Sequence, residues 1–177
     1  QMAVTYAAIA NGGTIWKPWI ARAIVDPKGK VVKEFGSQKV GQSEQTKADT
    51  AFLRKALRAV TTSGTAAGVF SGFPVEVAGK TGTGQDLGRN KNGTAKDDTS
   101  WFASFAPASN PQYAVIMVVS QGGFGATTSA VGVRDIYSEI FGVTGGKIDP
   151  TKSAFPNGMP TGLPKLDVKN ATLDGTK

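Results

Sequence analysis

From Val75 to Ser120 the chain carries three strand-like runs in succession, and no helical period separates them. They are Val75–Thr83, Trp101–Ala106 and Tyr113–Ser120. Parallel pairing needs a long crossover, usually a helix, so strands that follow one another without one must pair largely antiparallel. The short link Pro107–Pro111 makes the second and third runs a hairpin. The link between the first and second, residues 84–99, is rich in Gly, Asn, Asp and Lys and predicts a long flexible loop.

The flanking segments supply helices for the faces of such a sheet. Met2, Tyr6 and Ile9 fall at i, i+4 and i+7 in an Ala-rich run, and Asn11-Gly12-Gly13 stops it, predicting a helix over 1–11. Thr46-x-x-Asp49 resembles a capping box with Asp in place of Glu, and Leu53, Leu57 and Val60 mark the buried face of a second helix ending near Ser63-Gly64. Val133, Ile136, Tyr137 and Ile140 mark a third, over about 128–141, capped by Gly142. Between the first two helices, Thr14–Val25 reads as extended with an irregularity at Pro18. Asp26–Gly29 is a turn into a return strand, Val31–Phe35, and residues 36–47 read as loop. The fold class expected is α/β of the α+β type, a mainly antiparallel sheet flanked by helices. From Thr144 onward Gly, Pro, Lys, Thr and Asn dominate without periodicity. The expected organisation is one unit over 1–143 and a tail, 144–177, draped over it or disordered.

Composition narrows the chemistry. The 177 residues include no Cys and no His, which removes disulfides, thiol nucleophiles, thiolate metal sites and any Ser-His-Asp triad built from this chain alone. No metal or cofactor is expected. No apolar run reaches the roughly 18 residues of a membrane helix. The net charge of +7 comes from dispersed lysines rather than a basic stripe interleaved with aromatics, so no nucleic acid partner is expected.

The segment with chemical content is Ala78-Gly79-Lys80-Thr81-Gly82-Thr83-Gly84-Gln85. A phosphate-binding loop would need Gly where Pro74 stands, and a dinucleotide fingerprint would need Gly where Leu87 stands. The third account is the Lys-Thr-Gly element of penicillin-binding serine acyltransferases. A cation and hydroxyls on a strand edge can hold a carboxylate by charge-assisted hydrogen bonds. A Gly between them lets a planar amide or lactam lie against the backbone, and the next N–H can point at a developing oxyanion. Taken alone, Lys-Thr-Gly is equally an ordinary exposed strand end.

Three further segments give it context. Gln1–Gly13, with its Asn-Gly-Gly turn, Ser63-Gly64-Thr65-Ala66, and Trp101–Pro107 followed by Asn110-Pro111 and Ala114–Val119 stand in order around it. Together the four resemble the C-terminal part of the transpeptidase domain of class B penicillin-binding proteins, over residues 1 to about 142. The resemblance implies the penicillin-binding transpeptidase and serine β-lactamase-like fold, incomplete in this chain. It implies that Lys80 contributes positive potential near the nucleophile. It also implies that Thr81 and Thr83 hydroxyls bind the substrate or antibiotic carboxylate. The Thr83 backbone N–H would form half of the oxyanion hole, and Gly82 would keep the strand edge open, with Gly84 and Gln85 completing the substrate-binding stretch. The family also needs Ser-x-x-Lys and Ser-x-Asn, and no Ser of this chain has Lys three places on or Asn two places on. The family places both upstream of its equivalent of residues 1–13, so Gln1 is read as a cut point within the domain.

The activity implied is a serine D,D-transpeptidase that cross-links peptidoglycan stem peptides and is acylated by β-lactam antibiotics; this piece by itself is expected to be inactive. A serine β-lactamase, a penicillin sensor and a non-catalytic scaffold remain as alternatives. The partners implied are the upstream half of the same protein, stem peptides, β-lactams and a cell-wall synthesis complex. The implied location is the extracytoplasmic face of a bacterial membrane, anchored by a segment absent from this chain. Elsewhere, Trp101 is expected to anchor the core, with lining the cleft as the alternative, Trp16 and Trp19 to pack under their loop, with a surface patch as the alternative, and Arg134, Asp97 and Asp98 to be solvated.

Overall fold

The structure, a computed structural model, describes residues 1–21 and 23–155. Three antiparallel strands form its centre: β5 (Ala78–Gly84), β6 (Thr99–Ala106) and β7 (Tyr113–Val119), in that spatial order. The pairing is continuous, from Ala78 opposite Phe105 to Gly84 opposite Thr99, and from Ser100 opposite Val119 to Ala106 opposite Tyr113. The expected antiparallel sheet is thus present, with the first strand beginning three residues later than its Val-rich approach suggests.

Because side chains alternate across a strand, Ala78, Lys80, Gly82 and Gly84 share one face of β5, and Gly79, Thr81 and Thr83 the other. Helix α1 (Met2–Asn11) covers the lower part of the first face: Tyr6 and Ala10 pack with Ala78, Ala103 and Phe105. It ends where Gly12 takes a left-handed φ of 87°, a conformation costly for a side-chain-bearing residue. Helix α4 (Ser129–Phe141) covers the second face, bringing Ala130, Val133 and Tyr137 against Val77, Phe102 and Ala106. The short α3 (Ala67–Phe70) joins this layer through Phe70, stacked on Phe102 at 5.6 Å. Its single turn is too brief to show a period in the sequence.

Helix α2 (Lys47–Thr62) runs beside β5. Its capping box forms as expected: the Asp49 N–H donates to Thr46 Oγ1 at 3.1 Å, and the Thr46 N–H to Asp49 Oδ2 at 3.0 Å. Arg54 ties it to α1 by donating to the carbonyls of Ile9 and Ala10, which the helix end leaves without intrahelical partners.

Residues 14–42 correct the sequence reading. The single extended run splits into β1 (Thr14–Trp16) and β2 (Ala23–Val25), which pair with different partners. The hairpin of β2 with β3 (Val31–Glu34) is present, but part of the predicted loop is a strand, β4 (Lys39–Gln42), paired with β1. Trp16 and Trp19 are 44% and 43% exposed instead of packed under their loop.

Past α4 the described chain runs on to Phe155. Gly142, with φ 68°, leads into the two-residue strands β8 (Val143–Thr144) and β9 (Lys147–Ile148) and a 3-10 turn at Pro150–Lys152. The Ala154 N–H donates to Glu139 O at 2.8 Å, and Phe155 stacks on Tyr113 at 5.9 Å. The tail thus lies against α4 and β7 up to Phe155, and its remainder, 156–177, falls outside the described residues.

Candidate active site

Strand β5 is held firmly at one end and open at the other. Val77 and Ala78 are fully buried. The Val77 carbonyl accepts from Thr61 Oγ1 and Arg58, both on α2. A side chain at Gly79 would collide with Ala103 O at 2.7 Å and with Phe102 and Ser104 at 2.8 Å, so glycine here lets β5 lie close on β6.

From Lys80 the strand emerges into solvent. Lys80 is exposed, and its Nζ folds back to donate to the Thr81 carbonyl at 2.8 Å. Thr83 and Gln85 are also exposed, while Thr81, Gly82 and Gly84 are half-buried. All the candidates named from the sequence, Lys80, Thr81, Gly82, Thr83, Gly84 and Gln85, therefore lie along one accessible stretch of an edge strand. As β5 pairs only with β6 among the described residues, alternate backbone N–H groups along its other edge point away from the sheet. The strand's direction is fixed just beyond this stretch, where Thr99 Oγ1 donates to Asp86 Oδ2 at 2.7 Å.

Three neighbours outside the motif stand beside it. Thr65, directly after α2, has its hydroxyl 2.7 Å from that of Thr81. Trp101 joins neither core cluster: half-buried, it stands opposite Gly82 on the face that Lys80 occupies. A Cβ on Gly82 would lie 3.1 Å from that of Trp101, so glycine keeps this face low beside the indole. The expectation that Trp101 anchors the core is corrected; α1 does not extend far enough along the sheet to cover it. Gly125 presses on the same region, since a Cβ there would meet the carbonyls of Trp101 and Gly82, the latter at 2.5 Å.

The Gly122–Gly125 strap is pinned from both sides. The Gly123 N–H donates to Asp98 O at 2.8 Å, and Thr128 Oγ1 donates to Gly122 O at 2.6 Å. Ser100 Oγ donates to Phe124 O at 3.2 Å and accepts the Ser129 N–H at 3.1 Å, so β6 satisfies a donor at the start of α4. Beneath, Tyr137 meets Ser104 at 3.0 Å, and burial raises its phenol well above the ordinary range despite that bond. It is a neutral structural hydroxyl.

Chemically, this edge offers a cation, two threonine hydroxyls and outward N–H groups: donors suited to an anion and to a carbonyl oxygen acquiring charge. Among the described residues no group of three acidic, His or Cys side chains could hold a metal ion, and no helix is long and apolar enough to cross a membrane.

Comparison with known proteins identifies the family. The family model described as the penicillin binding protein transpeptidase domain matches residues 1–140. Stage V sporulation protein D of Bacillus subtilis is 34% identical over 144 residues, covering 77% of this chain and 21% of that protein. Penicillin-binding protein 2A of the same organism is 30% identical over 128 residues, covering 67% of this chain and 18% of its own length. The chain thus spans about a fifth of the length of these curated relatives. Among solved structures, penicillin-binding protein A of M. tuberculosis, in its imipenem acyl-enzyme complex, superposes with a TM-score of 0.61 at 23% identity, over 77% of this chain and 29% of that one.

Proposed function

The chain belongs to the penicillin-binding transpeptidase family, and from that premise we propose that it forms one wall of the active site of a serine D,D-transpeptidase. The observation that carries this is the exposed half of β5, an anchored edge strand presenting Lys80, Thr81 and Thr83 around a glycine that leaves its face flat. Thr81 and Thr83 hydroxyls bind the carboxylate of a stem peptide or a β-lactam, and Lys80 adds positive potential near the nucleophile. The Thr83 backbone N–H supplies half of the oxyanion hole. Gly84 and Gln85 continue the edge along which substrate lies.

The nucleophile is supplied by a portion of the protein outside these residues, because no Ser-x-x-Lys occurs among them. That serine attacks the penultimate D-Ala carbonyl, the bond to the terminal D-Ala breaks, and D-alanine leaves carrying the proton. An amine of a neighbouring peptidoglycan strand then displaces the serine from the acyl-enzyme. A β-lactam acylates the same serine by ring opening, and the acyl-enzyme of the M. tuberculosis neighbour supports this step. The reaction belongs to the extracytoplasmic face of the bacterial membrane, with a cell-wall synthesis complex as partner and an anchor outside this chain.

The test is acylation of the full-length protein by benzylpenicillin, with D-alanine release from a stem peptide. Combined Thr81→Val and Thr83→Val is expected to slow acylation about a hundredfold or more, since hydrogen bonds to charged groups contribute about 1.5–3 kcal/mol each. Unchanged acylation would contradict the clamp. Rapid hydrolysis of the penicilloyl adduct would point instead to a β-lactamase.

A further inference from the structure

Thr65 lies outside the Lys-Thr-Gly-Thr strand, yet the fold delivers its hydroxyl to that strand with little freedom. Helix α2 ends at Thr62, and the chain turns back through Gly64, whose N–H donates to Ala59 O at 2.9 Å. A side chain at Gly64 would strike Val60 Cα at 2.8 Å, so only glycine allows this close reversal. Ala66 follows, fully buried, with its N–H donating to Val60 O at 3.0 Å. Thr65 is therefore fixed between a glycine pressed on the helix and an alanine set in the core. Its exposed side chain has one hydrogen-bond partner among the described residues, Thr81 Oγ1 at 2.7 Å.

We propose that Thr65 is a positioning residue for the carboxylate clamp, its hydroxyl donating to Thr81 so that the Thr81 proton is directed at the substrate carboxylate. The inference rests on the function proposed above. A threonine hydroxyl has one proton and two acceptor lone pairs. If Thr81 gives its proton to a carboxylate, its remaining partner must be a donor, and Thr65 is placed to be that donor. The two bonds then polarise one another, the first strengthening the second. Thr65 touches Thr81 rather than the substrate, so its effect must pass through Thr81 and depend on the ligand's negative charge.

The experiment measures the second-order acylation rate of the full-length protein by benzylpenicillin and by its methyl ester. Thr65→Val removes the hydroxyl at nearly constant volume, and Thr65→Ser restores it. Thr65→Val is expected to slow benzylpenicillin about three- to tenfold, the effect of one hydrogen bond. It should leave the slower reaction of the ester unchanged, and Thr65→Ser should recover most of the rate. Thr65→Val combined with Thr81→Val should be no slower than Thr81→Val alone. Equal losses for acid and ester, a loss that multiplies with that of Thr81→Val, or no loss at all would each overturn the proposal. A wild-type protein that benzylpenicillin fails to label would overturn the functional reading and this inference with it. A wild type that reacts while Thr65→Val matches it would overturn this inference alone.

Discussion

The β2–β3 ribbon and the β5–β6–β7 sheet are built from the same antiparallel ladder, but among the described residues only the sheet has a second layer. In the ribbon Ile24, Val25, Val31 and Val32 are all exposed, Val32 by 67%. In the sheet Phe102 and Phe105 are fully buried, one beneath α3 and α4, the other beneath α1. Backbone hydrogen bonds contribute little net stability in either place; apolar burial separates the two. The candidate site rides on the part that is packed on both faces, where an edge strand can be held still while half of it stays open to solvent.

The strongest way to break this contrast is to empty the sheet's core. Phe102→Ala removes a fully buried ring stacked on Phe70 and is expected to cost about 3–5 kcal/mol in denaturant unfolding. A loss as small as that of a ribbon residue would mean that the sheet does not carry the fold. Next comes Gly125→Ala. The atoms its Cβ meets are backbone carbonyls of β5 and β6, which have no rotamer by which to yield. Overpacking there should cost about 1–3 kcal/mol and slow acylation, because Gly82 must shift; a variant unaltered in both would show that the strap does not support the strand.

Smaller effects sharpen the same picture. Tyr137→Phe leaves the ring in place and removes the bond to Ser104, for an expected loss of about 0.5–1.5 kcal/mol by chemical denaturation. At the exposed start of α2, the hydrogen bond from the Thr46 side chain, and then that from its backbone, lower the Asp49 carboxyl. A depressed carboxyl contributes stability above its unfolded value, about 3.9, and loses that contribution as pH falls through the lower folded value. Amide exchange at Thr46, whose N–H donates to that carboxylate, should therefore be slow at pH 5 relative to intrinsic rates and lose that protection only below about pH 4. Protection that persists below the folded value would contradict the capping role. Val32→Thr in the ribbon should change stability by less than about 0.5 kcal/mol, near the limit of measurement.

The same contrast explains what could be read in the sequence. Although Met2 and Ile136, read into the apolar faces of their helices, are 41% and 40% exposed, three helices and the strands of the central sheet declare themselves as apolar runs bounded by turn signals. Strand β4 does not. Lys39-Val40-Gly41-Gln42 shows no alternation between buried and exposed positions, and becomes a strand only by pairing with Thr14–Trp16. The chain's change of partner between β1 and β2 is hidden for the same reason, since Pro18 marks an irregularity without saying which strand follows which. At the site, Lys80–Gln85 is legible as a motif and its exposure follows from its place on an edge. Thr65 stands in the Ser63–Ala66 segment, but its contact with Thr81 crosses 16 residues and depends on the turn that Gly64 permits. Trp101 departs from its expected place because a tryptophan opening a strand usually packs inward, and how far α1 reaches along the sheet is not written in local pattern.

The most direct test of the central claim is to locate the adduct. Full-length protein treated with benzylpenicillin would be measured as intact mass and then mapped by peptide. One penicilloyl group on a serine followed three places on by lysine, outside these 177 residues, and lost or strongly slowed when Thr81 and Thr83 are both replaced by valine, is the predicted result. An adduct on a serine within this chain, or no adduct at all, would contradict the account.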